Sequence, residues 1–152
     1  MIWYLRVFGI FFFVFLFAVL SQKESRLERT WESKLKPDQT VKTLYESFQP
    51  KSFRQPTVGE EWESKTLGET VLCKTTTVTN VPTISFQIET KGMKHYQMLR
   101  ETFEVEPTEN GVRVRGVWEI ETTPNFLSKL LFLFFSDADL SHIASAKEKR
   151  FL

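Results

Sequence analysis

The first twenty residues constrain the rest of this chain more than any other stretch. From Val7 to Leu20 no side chain is charged or strongly polar. The hydrocarbon part of a bilayer requires roughly 20 helical residues. The neighbouring residues 2–5 bring the apolar length close to that requirement, and only Arg6 interrupts it. We therefore expect residues 1–20 to form one helix that spans a membrane once.

The outer end of this helix fits a membrane interface. Trp3 and Tyr4 carry amphipathic rings of the kind that collect at the level of the lipid headgroups. Arg6 lies beside them, and its long aliphatic stem can follow the helix while its guanidinium stays among the headgroups. These three residues are the predicted interfacial contacts of the anchor.

Two other interpretations of the same stretch stay open. A cleaved secretory signal also has a basic start and a short apolar centre. However, Ala18 is followed by Val19 and Leu20, and no small-x-small cleavage site precedes the charged residues that follow. A buried core helix is the second alternative, although a helix with one solvated side would carry a polar stripe, and this stretch has none. The composition favours an uncleaved signal-anchor.

The charges that flank the apolar stretch predict its orientation. Only Arg6 and the α-amino group precede it, whereas five basic residues follow it: Lys23, Arg26, Arg29, Lys34 and Lys36. Because cytoplasmic flanks of membrane helices are enriched in lysine and arginine, this asymmetry favours a domain on the cytoplasmic side. We expect a short polar hinge over residues 21–25 and one folded domain over residues 26–152.

The overall charge and the scarcity of reactive side chains argue against several functions. The chain has 20 basic and 19 acidic residues, so its net charge of +1 creates no field that would attract nucleic acid. Cys73 is the single cysteine, which excludes an intrachain disulfide and a thiolate metal cluster, and we expect it to be a small buried hydrophobe. His95 and His142 lie in different predicted elements, and no nucleophile–base pair or phosphate-binding loop is recognisable. We therefore expect no metal, no cofactor and no catalytic constellation, and an enzyme is the least favoured class.

Alternating apolar and polar residues predict strands over most of the remaining chain. Such alternation covers Arg26–Leu35, and it returns after residue 60 and continues to Thr122. Turn signals divide the later stretch, and Asn110-Gly111 is typical of a tight hairpin. This pattern predicts one early strand and five or so consecutive antiparallel strands.

Helical spacing appears at three places. Apolar residues recur at helical intervals from Pro37 to Phe48, where proline suits the first turn of a helix. Near the end of the chain, Phe126–Phe135 and Asp139–Leu152 are predicted as two helices, with a break at Ser136-Asp137. In the last helix we expect Leu140, Ile143 and Ala144 to face inward, and Lys147, Lys149 and Arg150 to face outward. Strands in succession with helices at both ends indicate an α+β fold, in which the helices cover one face of an antiparallel sheet.

Two stretches resemble the polyketide cyclase/START-related lipid-binding superfamily, the helix-grip proteins of the SRPBCC type. The first is SRLERTWESKLKPDQTVKTLYESF (Ser25–Phe48), in which Lys36-Pro37, Val41 and Leu44 stand at the places of the opening phrase. The second is GVRVRGVWEIET (Gly111–Thr122), which resembles a late strand of these proteins. A C-terminal helix matches in place, so the resemblance covers most of the chain after the anchor.

The resemblance implies a curved antiparallel sheet of about six strands packed on a C-terminal helix, with an apolar cavity between them. Such cavities bind lipids, sterols or polyketide-like molecules. Two features depart from the pattern. Phe48-Gln49-Pro50 stands where a tryptophan–proline phrase is usual, and the final helix is predicted to be short.

Six aromatic and thioether residues are the candidates to line this cavity: Trp31, Trp62, Phe86, Met98, Phe103 and Trp118. Side chains of this kind at strand spacing also form ordinary core, so two hypotheses follow. The first is a membrane-anchored domain that binds a lipid or another apolar small molecule between sheet and helix. The alternative is a membrane-tethered protein-interaction or scaffold domain with a filled core and no ligand.

Overall fold

The computed structural model describes residues 1–50 and 55–152. Its helices are α1 (Ile2–Leu20), α2 (Pro37–Glu46) and α3 (Phe126–Glu148), which ends in a 3-10 turn over Lys149–Phe151. Its strands are β1 (Glu24–Ser33), β2 (Glu61–Thr66), β3 (Glu69–Thr79), β4 (Ile84–Lys91), β5 (Tyr96–Thr108) and β6 (Gly111–Thr122).

The six strands form one antiparallel sheet in the order β1-β6-β5-β4-β3-β2. From β3 to β6 each strand pairs with the one before it, and β1 pairs with β6, from Glu24 opposite Glu121 to Ser33 opposite Val112. The sheet packs against α3, and α2 covers the end of the sheet where β1 stops. This arrangement confirms the predicted α+β helix-grip architecture.

The final helix differs from its prediction. The sequence predicts a break at Ser136-Asp137, but α3 continues through it for 23 residues. Serine and aspartate disfavour a helix interior by only several tenths of a kcal/mol each. Phe132 and Leu140 on either side are both buried against the sheet, and such packing outweighs that local preference. The start of α3 is capped by Asn125, whose side chain accepts a hydrogen bond from the Ser128 amide at 2.8 Å.

The apolar helix α1 packs on the first half of α3. Val19 is fully buried there, and the rings of Phe15 and Phe134 lie 6.4 Å apart. Lys129 donates a hydrogen bond from Nζ to the Leu20 carbonyl at 2.8 Å. Most other side chains of α1 are exposed, and within the described residues α1 alone is long and apolar enough to cross a membrane. Strand β1 begins at Glu24, inside the stretch predicted as a hinge.

Candidate functional site

Four of the six candidate residues form one contiguous aromatic group between the sheet and α3. The ring of Trp31 stacks on that of Trp118 at 6.4 Å, and Phe103 meets Trp118 edge-on at 5.6 Å. Phe86 extends the group, with its ring 5.4 Å from that of Phe103. All four side chains are buried. The structure therefore brings these four together, and their rings pack against one another.

The other two candidates lie apart from this group. Trp62 is buried at the β2 end, where its Nε1 donates to the Phe48 carbonyl at 2.8 Å and its ring meets that of Tyr45 at 5.4 Å. Met98 lies on the opposite face of β5, and its sulfur is 3.9 Å from an Arg100 guanidinium nitrogen. A register shift after Tyr96 sets this alternation, so Met98 is outside the aromatic interior.

Gly116 makes room for the largest ring in the group. It precedes Trp118 by two residues on β6, so both face the interior. A Cβ atom added at Gly116 would lie 2.3 Å from Cη2 of Trp118. The indole therefore lies flat over the glycine, and from there it reaches both Trp31 and Phe103.

Two ionisable side chains enter this apolar interior from opposite sides. Glu101 on β5 is 3% exposed and accepts a hydrogen bond from Nε1 of Trp118 at 2.8 Å. Lys147 on α3 is 8% exposed, and its Nζ lies 3.5 Å from the centre of the Phe48 ring. Among the described residues, no carboxylate lies within ion-pair distance of Lys147. We call Glu101, Lys147 and Trp118 the polar centre.

Burial governs the ionisation of the polar centre. Loss of hydration raises the pKa of Glu101, and the charge of Lys147 and the hydrogen bond from Trp118 oppose that rise. Loss of hydration lowers the pKa of Lys147, while Glu101 acts in the opposite direction. Each group therefore favours the charge of the other, although both stand in an apolar environment.

Sequence reasoning missed the polar centre. It placed Lys147 on the outer side of the last helix, whereas the lysine is buried. The assignment was wrong even within the predicted helix, because Lys147 follows Leu140, Ile143 and Ala144 by seven, four and three residues and therefore lies on the same face. The inward position of Glu101 could have been predicted, because Glu101 is two residues from both Leu99 and Phe103 and therefore shares the inward face of β5 with them.

Cys73 is a buried hydrophobe, as predicted. It is 1% exposed on β3, and its Sγ lies 3.6 Å from the Thr90 hydroxyl. Burial raises the pKa of the thiol, so the reactive thiolate is disfavoured. The two histidines lie elsewhere: His95 is 3.0 Å from the Ser128 hydroxyl at the start of α3, and His142 is exposed.

A cavity of about 490 Å³ lies between α2 and the neighbouring ends of β3 and β4. Its apolar wall is formed by Val41, Val78, Ile84 and Phe86. Polar side chains line the rest of it: Asp38, Gln39, Lys42, Gln55 and Asn80. The resemblance placed the cavity under the C-terminal helix, but this one is beside α2. Phe86 connects the two regions, since it lines the cavity and contacts Phe103 in the aromatic group.

The predicted interfacial residues lie on the exposed start of α1. The rings of Trp3 and Tyr4 are 5.9 Å apart and edge-on, and both side chains are largely exposed. Arg6 is exposed one turn of the helix after Ile2. Nothing in the described part of the domain packs against these three residues.

Comparison with known proteins identifies the fold. No family model matches the chain, and no curated protein has significant sequence similarity to it. Among solved structures, Ara h 8.0201 matches with a TM-score of 0.53 at 14% identity, covering 84% of this chain and 95% of that one. Norcoclaurine synthase from Thalictrum flavum, in complex with dopamine and hydroxybenzaldehyde, matches with a TM-score of 0.54 at 16% identity, covering 88% and 89%.

A hypothetical protein from Helicobacter pylori matches with a TM-score of 0.58 at 14% identity, covering 84% of both chains. These identities are low, so the likeness concerns the arrangement of helices and strands. Together with the six-stranded sheet and its long C-terminal helix, it shows that the chain has the helix-grip fold that the sequence resemblance implied.

Proposed function

We propose that this chain is a membrane-anchored domain that binds a lipid or another apolar small molecule. The cavity between α2 and the sheet carries this proposal. Its volume of about 490 Å³ lies in the range of small-molecule sites, roughly 300–1,000 Å³. An apolar wall with polar groups around it is also the usual composition of such sites. The aromatic group behind Phe86 extends the apolar surface inward.

The fold supports the same proposal. Norcoclaurine synthase holds dopamine and hydroxybenzaldehyde on a related architecture, so this arrangement of sheet and helices can accommodate small organic molecules. The described residues offer no pair of reactive groups arranged as nucleophile and base, and we propose a binding role rather than catalysis. Trp31, Trp62, Phe86, Phe103 and Trp118 remain the proposed apolar contacts, with Val41, Val78 and Ile84 added from the cavity.

Anchoring by α1 is the second part of the proposal. The helix is long and apolar enough to cross a bilayer, and most of its side chains are exposed on the domain. Such exposure is costly in water and is relieved in hydrocarbon. We propose residues 1–20 as the anchor, 21–25 as the connection and 26–152 as the binding domain, and the flanking charges support the cytoplasmic side for that domain.

Photocrosslinking of the full chain in phosphatidylcholine nanodiscs tests the binding role. A diazirine-bearing fatty acid, sterol and phospholipid are activated in turn, and the adducts are mapped by peptide mass spectrometry. We expect adducts on α2 and β4 peptides in addition to those on α1. Val78→Trp or Ile84→Trp fills the cavity and should reduce the α2 and β4 adducts about tenfold, which corresponds to about 1.4 kcal/mol. Leu72→Trp, on the exposed face of β3, is the matched control and should change neither set.

One observation favours the alternative of a tethered interaction domain without a ligand. The rings of Trp31, Phe103 and Trp118 pack closely under α3, as in an ordinary core. Under that alternative, none of the three probes modifies the α2 or β4 peptides, and the cavity-filling variants change nothing. That result would overturn ligand binding and leave anchoring intact.

A further inference from the structure

The first half of α3 exposes an unusual amount of apolar surface. From Phe126 to Phe135 only Ser128 and Lys129 are polar. Four apolar side chains in this stretch are between 50% and 62% exposed: Phe126, Leu127, Phe134 and Phe135. We call these four residues the α3 apolar face. Scattered exposed apolar residues are common, but a contiguous group of large ones indicates a site of interaction.

The rest of α3 has a different character. After Phe135 the helix is polar on its outer side, where His142 is exposed and Ser141 and Ser145 contact Arg29 on β1. Its apolar residues there, Leu140 and Ile143, are buried against the sheet. Exposed apolar surface is therefore confined to the half of α3 that lies beside α1.

The contacts with α1 fix the level of the α3 apolar face relative to that helix. Lys129 reaches the carbonyl of Leu20 at the end of α1, and Phe134 contacts Phe15 five residues earlier. Five helical residues correspond to about 7.5 Å along an axis. Phe134 thus lies beside Phe15, about 7.5 Å along the axis of α1 from the end of that helix. An amphipathic helix at a membrane interface buries its apolar side by about 5–10 Å.

From this arrangement we infer that the α3 apolar face rests in the headgroup–acyl boundary of the same bilayer that α1 spans, as a second membrane contact. The inference rests on the proposed anchoring by α1. The α3 apolar face lies directly beside α1, which requires hydrocarbon around it. A bilayer would cover the exposed apolar side chains of both α1 and α3. Lys129 holds its ammonium at the Leu20 carbonyl, at the level where the headgroups begin.

The charges near the junction indicate that this contact is apolar and not electrostatic. Lys23 and Lys129 border a polar cleft of about 410 Å³ where α1 meets the sheet, and Glu24 and Glu121 border the same cleft. Two cations and two carboxylates give no net attraction for anionic lipid. Docking of the α3 apolar face should therefore occur on zwitterionic phosphatidylcholine.

Site-specific fluorescence on the full chain in phosphatidylcholine vesicles tests this inference. Cys73 is buried and its thiolate is disfavoured, so single cysteines introduced elsewhere can be labelled selectively with an environment-sensitive dye. Leu127→Cys and Phe135→Cys report on the α3 apolar face, His142→Cys on the polar half, and Phe11→Cys on the anchor. Quenching is measured with a lipid that carries a nitroxide on its acyl chain.

We expect the probes at 127, 135 and 11 to shift to shorter wavelength and lose fluorescence to the nitroxide lipid, while the probe at 142 keeps an aqueous spectrum. Quenching at 11 with aqueous spectra at 127 and 135 would overturn the docking and leave the anchor intact. Failure of quenching at 11 would overturn the anchor itself. Blue shifts at 127 and 135 that grow with protein-to-lipid ratio, without nitroxide quenching, would show that a second copy of the chain covers the face.

Discussion

Lys147 and Glu101 reach the aromatic interior from α3 and β5, and each partly compensates the cost of burying the other. Removing one partner of a buried pair leaves a desolvated charge, whereas removing both leaves only apolar packing. Trp118 adds one hydrogen bond to the carboxylate, which does not replace the opposite charge. The pH dependence of the free energy of unfolding should therefore differ between a variant that lacks Lys147 and a variant that lacks Glu101.

Substitutions at the polar centre should change the slope of stability against pH in opposite directions. In Lys147→Met the pKa of Glu101 rises further, so the folded chain binds more protons than the unfolded one and stability falls as pH increases above about 5. In Glu101→Gln the pKa of Lys147 falls further, and stability increases with pH up to about 10. Each single change should lower stability at neutral pH by less than the roughly 3–5 kcal/mol typical of breaking a buried ion pair, because Glu101 and Lys147 are not within ion-pair distance.

The double variant Glu101→Gln/Lys147→Met is the control for that prediction. It should recover much of the loss and show a flatter pH dependence, because no uncompensated charge remains. Thermal unfolding of the full chain in detergent micelles, followed by tryptophan fluorescence, provides the measurement. Equal slopes in the two single variants would contradict the coupling.

Gly116 provides a second prediction at this scale. Gly116→Ala places a methyl group where the Trp118 ring lies, so the indole must move away from Glu101 and Trp31. Overpacking of this kind typically costs about 1–3 kcal/mol. The same unfolding assay measures the loss, together with a change in tryptophan emission. Ser85→Ala on β4 adds no atom and should leave both nearly unchanged; similar losses in the two variants would refute the steric explanation.

At the level of secondary structure, the guanidinium of Arg29 connects the edge strand β1 to α3. The Arg29 guanidinium donates to the hydroxyls of Ser141 and Ser145, both at 2.9 Å, and lies 3.4 Å from the Glu148 carboxylate. Three groups on successive turns of α3 thus converge on one planar cation. Lysine cannot reproduce this geometry, because its ammonium is a single point charge.

Arg29→Met should therefore loosen α3 from the sheet and cost about 1.5–3 kcal/mol, the usual range for hydrogen bonds from a charged group. Arg29→Lys should recover only part of that loss. Amide hydrogen exchange in α3 and the unfolding midpoint are the two measurements. Arg113→Met on β6, where the ion pairs are half-exposed, is the comparison and should cost less than about 1 kcal/mol. Equal losses of stability in Arg29→Met and Arg113→Met would show that the contacts of Arg29 with α3 contribute no more than half-exposed ion pairs.

Over the whole molecule, the sequence predicted the architecture better than the site. Alternation along β6 and the proline at the start of α2 are local signals, and they located those elements correctly. The continuity of α3 depends on tertiary packing around Ser136, which a local pattern does not contain. The inward position of Lys147 was missed although its spacing from Leu140 and Ile143 predicts it, because lysine side chains are mostly exposed. The resemblance placed the cavity under α3, whereas the cavity lies beside α2.

Helix α1, the proposed anchor, and the cavity beside α2 lie towards opposite ends of β1. Helix α1 joins β1 at Glu24, whereas Ile84 in the cavity wall stands, through Val105 and Val114, in the same row as Trp31. Seven strand residues separate those levels, which is about 23 Å. If α1 anchors the domain and the cavity binds a ligand, as proposed, entry to the cavity lies about 23 Å along the sheet from the residue where β1 follows the anchor. Ligand exchange and membrane attachment would then use separate parts of the domain, so a change at one need not disturb the other.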